Sequence, residues 1–227
     1  MLIDCHIHTT LYSPCSRLTP EAACKRALAK GLQGIVLTEH QRQWPAREIE
    51  ALRFEFPDLA IFNGMELTLD NDQDVVLITE EKELEFAFHL PLEKVISSGG
   101  IDPEQSFFFL AHMFRWSTRP PQDFDFLVSR MHGIEMNSLN ILRGQYVLEK
   151  NRYKPTTEFL YRETSERFNL RQVYNSDAHD ISAVGALANE LPCSSPPGSE
   201  AELAALLKEQ APGEYQDPEL LGSLLRP

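Results

Sequence analysis

The chain has 227 residues, 42% of them hydrophobic, enough for one large core or two small ones. A formal net charge of −13 argues against an extended nucleic-acid footprint, although a short nucleotide held by metal ions remains compatible with it. No Gly/Ser tract, charge block or internal repeat marks a linker, so residues 1–227 are read as a single domain. No basic-then-apolar leader opens the chain, and no apolar run reaches the length of a membrane span. The four cysteines, at 5, 15, 24 and 193, form no CxxC pair. Free thiols in the cytoplasm, with no membrane partner, are the expectation.

Residues 1–5 are apolar enough for a buried strand, and His6 and His8 stand at its C-terminal end. Residues i and i+2 of a strand share a face, so both imidazoles point one way and offer half of a metal site. Residues 13–16 form a turn. Thr19 then caps a helix with Pro20 at its first position, and Gly31 closes it. A second strand over 34–37 ends in Thr38-Glu39-His40, and a helix follows over 45–55. A third strand, 59–65, ends in Glu66, and a fourth covers 74–79. After a polar stretch and a short helix, the strand 107–111 ends in His112. The pattern then predicts a helix over 124–131, a strand over 133–137, helices over 139–151 and 156–168, and a strand over 172–175 ending in Ser176-Asp177-Ala178-His179. Ser199-Glu200-Ala201-Glu202 opens a final helix as a capping box.

Strand, polar residue, loop and helix thus recur about seven times, which predicts a parallel sheet with covered faces. In a barrel of this kind the C-terminal strand ends converge. That topology gathers His6, His8, His40, Glu66, His112, Asp177 and His179 in one mouth, whereas a doubly wound sheet spreads them along a crevice. His89 and His132 follow no such pattern and are read as ordinary loop residues.

Taken together these stretches resemble the PHP (polymerase and histidinol phosphatase) family over residues 4 to about 185. Asp4-Cys5-His6-Ile7-His8-Thr9 is similar to its opening His-x-His motif, and Thr38-Glu39-His40 to its Thr-Asp-His. Gly64-Met65-Glu66 resembles its Gly-x-Glu, Ala111-His112 its Ala-His-Pro, and Ser176-Asp177-Ala178-His179 its closing Ser-Asp-x-His. The resemblance implies an α/β fold, a distorted (β/α)7 TIM-like barrel, holding two or three divalent ions and hydrolysing phosphoesters. The chain departs from the pattern at Glu39, where Asp is usual, and at Met113, where Pro is usual. It also lacks a histidine after the fourth strand, where Glu80 or Glu81 is the available substitute.

Imidazole and carboxylate donors suit Zn, Mn or Fe rather than a thiolate-selecting metal. Glu66 is the carboxylate placed to bridge two cations ~4 Å apart, and cations sharing a water supply hydroxide near neutral pH. His6, His8, His40, Glu66, His112, Asp177 and His179 are the expected metal ligands, and Asp177, His179 and Arg115 the expected catalytic residues. Asp4 is read as a partner orienting a histidine. Cys15 is either a turn thiol or, with His40, part of a third ion's site. Arg115 can grip a phosphate bidentately, and Arg143 is a second candidate. Trp116 either stacks on a base or covers the barrel rim. The expected substrate is a phosphomonoester or a short nucleotide phosphoester. Two other readings stay open: an amidohydrolase-like metal hydrolase, and a metal-binding barrel with a regulatory role. Amidohydrolases usually carry a bridging lysine where this chain has Glu66.

Overall fold

The computed structural model describes residues 1–226. Its strands are β1 (Leu2–Ile7), β2 (Gly34–His40), β3 (Ala60–Thr68), β4 (Asp74–Ile78), β5 (Phe107–Leu110), β6 (Gly133–Asn137), β7 (Tyr146–Glu149), β8 (Arg152–Pro155), β9 (Arg171–Tyr174), β10 (Leu187–Glu190) and β11 (Gly213–Gln216). The helices are α1 (Pro20–Ala29), α2 (Ala46–Glu55), α3 (Leu92–Gly99), α4 (Phe124–Val128), α5 (Leu139–Leu142), α6 (Glu158–Phe168), α7 (Glu200–Glu209) and α8 (Pro218–Leu225).

Nine strands form one sheet in the order β11-β10-β1-β2-β3-β4-β5-β6-β9. The pairs β1–β2, β2–β3, β5–β6 and β6–β9 are parallel. The sheet curls until the residues after β9 return to the end of β1. There Ile7 and Ala178 form a parallel bridge, and the His8 amide donates to the Ala178 carbonyl at 3.0 Å. The first half of β1 is taken instead by antiparallel β10, so seven strands make a nearly closed barrel with β10 and β11 as a side flap. The mixed α/β barrel-like architecture is thus present.

Besides the antiparallel flap, one strand of the barrel itself departs from the expected all-parallel order. β4 runs antiparallel to both β3 and β5. Five residues separate it from β3, with Asp72 in the left-handed region at φ 59, which is room for a hairpin and not for a crossover helix. The expected helix over 139–151 is also replaced. α5 stops at Leu142, and β7 and β8 pair as a hairpin across Lys150 and Asn151, whose φ values of 48 and 63 are those of a two-residue turn.

Inside the barrel Ile3, Cys5, Val36, Phe62, Val76, Phe109 and Val173 pack together, and Leu203, Ala204 and Leu207 of α7 join them. The β1–β2 register shifts between Asp4 and Ile7, and this bulge turns Ile7 outward to pack with Leu18, Ile35, Leu37 and Leu52. Gly64 lets β2, β3 and β4 approach closely, because a Cβ there would lie 2.8 Å from Val36 Cγ1 and 3.0 Å from the Leu77 carbonyl. No helix among the described residues is long and apolar enough to cross a membrane.

Candidate metal centre

At the mouth of the barrel one carboxylate faces four imidazoles. Glu66, 2% exposed at the end of β3, has Oε1 3.0 Å from His112 Nε2 and 3.3 Å from His6 Nε2. Its Oε2 lies 3.2 Å from His8 Nε2 and 3.1 Å from His40 Nδ1. Asp177 completes the wall, with Oδ1 3.6 Å from the Nε2 atoms of both His6 and His8 and 3.4 Å from His179 Nδ1. The His8 ring stacks on His40 with centroids 4.4 Å apart and meets the tilted His179 ring at 4.3 Å. All seven residues expected in one mouth therefore share it, supplied by β1, β2 and β3 and by the turns after β5 and β9.

Three groups bring ligand atoms within 4.8 Å of one another: His8, His40 and His179; His6, His8 and Asp177; and His6, Glu66 and His112. Asp177 Oδ1 and His40 Nδ1 are buried without a hydrogen-bond partner. Such orphaned atoms are costly unless something else binds them. The His6 and His8 Nε2 atoms approach to 3.0 Å and converge on the same space. This donor set fits divalent cations. Two of the site residues hold unusual backbone conformations, His112 at φ 29 and Asp177 at φ 50, a cost that tends to collect at functional sites.

The electrostatics agree with a cavity that draws positive charge. Burial disfavours a proton on His6, but Asp177 and Glu66 raise its pKa well above the ordinary value. His112 is raised to about 9, with Glu66 and Asp177 outweighing burial. His8 is pushed down to about 4 by burial, and a charged His6 beside it adds to that. Burial works against ionisation of Glu66, yet His6, the hydrogen bond from His112 and the close approach of His40 hold it well below the usual carboxylate range.

Around these residues a further set aims them. Ser13 Oγ lies 3.2 Å from His8 Nδ1 and donates to Glu39 Oε2 at 2.5 Å. Glu39 also accepts from Thr9 and from the Trp44 indole. The carboxylate that replaces the usual Asp thus acts on His8 through Ser13. Asp4 accepts from the His6 amide and from Ser176, so it fixes the His6 backbone and not a ring, which corrects the expected role. Cys15 Sγ stands 3.2 Å from the outer nitrogen of His40, Nε2, and outside the three ligand groups, so its place is beside a site residue.

Arg115 is half-buried over the Trp116 ring, 4.2 Å from its centroid, and pairs with no carboxylate among the described residues. Burial lowers its pKa, and Asp177, Asp74 and Glu66 are near enough to oppose that. Arg143 is exposed at the end of α5 and lies close enough to add to the lowering. Trp116 is 82% exposed and therefore does not cover the rim. It lines a cavity of about 280 Å³ with His112 and Asp74.

Glu80 and Glu81 are nowhere near the mouth. Reversed β4 ends at the base of the barrel, where Glu80 pairs with Lys82, and Glu81 with Arg53. The same reversal puts the first residue of β4 at the mouth, so Asp74 Oδ2 lies 3.8 Å from His112 Nδ1. The sequence reading missed Asp74 for that reason. It also missed Glu135, fully buried in the middle of β6, whose Oε1 is 3.1 Å from His6 Nδ1. A lone carboxylate inside the apolar run Gly133–Asn137 was the available signal.

No family model matches the chain, and no curated protein matches it. Solved structures do. PsfC from Pseudomonas syringae is similar at 20% identity and a TM-score of 0.66, covering 98% of this chain and 95% of that one. A two-domain protein from Bacteroides vulgatus, containing a predicted PHP-like metal-dependent phosphoesterase, is similar at 16% identity and a TM-score of 0.68. That match covers 95% of this chain and 64% of the two-domain one. The fold is that of a PHP-like barrel. An amidohydrolase from Chromobacterium violaceum, with bound sulfate and no metal, is similar at 15% identity and a TM-score of 0.56 over 86% of this chain and 93% of that one. At such identities the PHP-like likeness concerns the fold, and the chemistry rests on the residues.

Proposed function

We propose that the protein is a metal-dependent phosphoesterase acting on a small phosphorylated metabolite or a short nucleotide. The observation that carries this reading is the pairing at Glu66, each of whose oxygens faces two imidazole nitrogens in a wall closed by Asp177. His6, His8, Glu66 and Asp177 would hold one cation and Glu66 with His112 a second, while His40 and His179 border a third position. When bound, divalent ions of the Zn, Mn or Fe kind would activate water and offset charge on a phosphoryl group.

The residues of the chain supply the rest. Arg115 is a guanidinium without an anionic partner beside a strongly acidic site, suited to grip phosphoryl oxygens bidentately. Asn140 donates to Asp177 Oδ2 and leaves Oδ1 directed into the cavity. Asp177 can accept a proton from an attacking water, and half-buried His179 beside it can pass a proton to the leaving group. Ser13 bridges His8 to Glu39 and is fully buried, so it is not placed as a nucleophile. Cys15 faces His40, which faces Glu66 in turn, but burial pushes its thiol pKa up and so works against a reactive thiolate.

The amidohydrolase neighbour supports a second reading, an amidohydrolase-like metal hydrolase. Elemental analysis followed by assays of Mn- and Zn-loaded protein on phosphomonoesters, dinucleotides and cyclic amides separates the two. Turnover of a phosphoester that disappears on chelation is expected. Turnover confined to amides, or none on any phosphoester, removes the first reading.

A further inference from the structure

Glu135 is a buried carboxylate that touches no lysine or arginine. Three nitrogen groups surround it, two of them amide donors and the third a ring nitrogen of His6. His6 Nδ1 lies 3.1 Å from Oε1, the Asn175 amide donates to Oε1 at 3.0 Å, and the backbone amide of His112 donates to Oε2 at 3.1 Å. Asn175 is locked in turn, accepting from the Cys5 amide at 3.1 Å and from Asn189 at 2.8 Å. The two amides can only donate, so both Glu135 oxygens are held as acceptors, and the His6 ring faces one of them.

The two oxygens reach two different strands. One holds the ring of His6 at the end of β1. The other holds the backbone of His112, just beyond β5, in a conformation that a non-glycine residue rarely adopts. A proton held on His6 Nδ1 makes Nε2 the nitrogen that would bind a cation, and Nε2 is the atom directed at Glu66 and Asp177. A fixed His112 backbone directs that ring's Nε2 at the same Glu66 oxygen. We propose that Glu135 is a positioning residue that couples His6 and His112, setting the tautomer of one and the backbone of the other so that both present Nε2 to a shared cation. The proposal rests on the metal-site reading above.

Glu135→Gln keeps the shape and one acceptor but sets an NH2 group against a donor. Zn²⁺ affinity, measured by competition with a chromogenic chelator, is expected to fall about 10- to 100-fold, the range found when a group orienting a ligand is removed. In the metal-free protein the His112 amide is expected to exchange with deuterium at least about tenfold faster, because the acceptor that holds it is disturbed. Glu81→Gln, at the base, should change neither reading. If Glu135→Gln does not fold, Glu135→Asp, one methylene shorter, should show smaller losses of both kinds. A folded variant with parental Zn²⁺ affinity, or with parental protection of the His112 amide, overturns the coupling. A parent protein that binds no Zn²⁺ overturns the metal reading instead, and amide exchange alone then decides whether Glu135 holds His112.

Discussion

The mouth and the base of the barrel both carry buried carboxylates, and they compensate them in opposite ways. At the base Arg53 lies 2.7 Å from Glu200 and 2.7 Å from Glu81, so a permanent cation is built into the network. At the mouth Glu66 and Asp177 face imidazoles and the Asn140 amide, with no lysine or arginine of the described residues paired to them. Histidines follow the same division. His112, among the mouth carboxylates, is raised to about 9, whereas His132, against Phe107 and Phe108 at the base, is lowered to about 4 by burial and then by Lys208. A network closed by arginine is complete within the chain. A network of carboxylate and imidazole is complete only with protons or cations from solution, and that is what separates a structural cluster from a candidate centre.

Removing a mouth carboxylate should have the largest effect. Asp177→Ala is expected to lower bound metal and to cut phosphoesterase activity by more than ~10³-fold, beyond the loss of one positioned donor. Elemental analysis alongside the assay checks both, and a variant with parental metal and activity would falsify the placement of Asp177. Arg115→Ala removes a contact and no ligand, so metal content should hold. Its kcat/KM should fall by about 2–4 kcal/mol in transition-state terms, chiefly through KM. A change in kcat with KM constant would mean that Arg115 acts only as charge develops.

The base should respond in stability instead. Arg53→Met strands Glu200 and Glu81, and denaturant unfolding is expected to show a loss of about 2 kcal/mol. That is less than a fully buried pair would cost, because the Arg53 side chain is 32% exposed. Its metal content should stay parental, and a variant that loses metal would blur the division between the two ends. The smallest effect should come from His132. Its folded pKa of about 4 lies below the ordinary 6.5, so the folded state favours the neutral ring, whose Nδ1 accepts from the Phe108 amide at 3.1 Å. The stability it contributes is complete above pH 6.5 and drains away as pH falls from 6.5 toward 4. His132→Gln should flatten that part of the stability profile, and identical slopes for parent and variant between pH 7 and pH 5 would rule the contribution out.

Each of the seven mouth residues was legible in the sequence because it stands just past an apolar strand, and parallel strands fed by helices can deliver such positions to one end only. Thr19, Pro20 and Gly31 likewise announced α1, since caps and left-handed residues are local properties: Thr19 accepts from the Ala22 amide, and Gly31 takes φ 76. Direction and long-range pairing are not local. Period-two alternation says which face a side chain takes and nothing about which way its strand runs, so the antiparallel pairing of β4, which brings Asp74 to the mouth and takes Glu80 and Glu81 to the base, was not legible. Glu135 meets His6 across 129 residues of chain, and no spacing rule spans that distance. Sequence determined the donor types and the strand ends that bear them. Tertiary structure decided which carboxylates face the imidazoles and which are closed off by Arg53, because that choice depends on strand direction, set by hydrogen bonding between segments far apart in the chain.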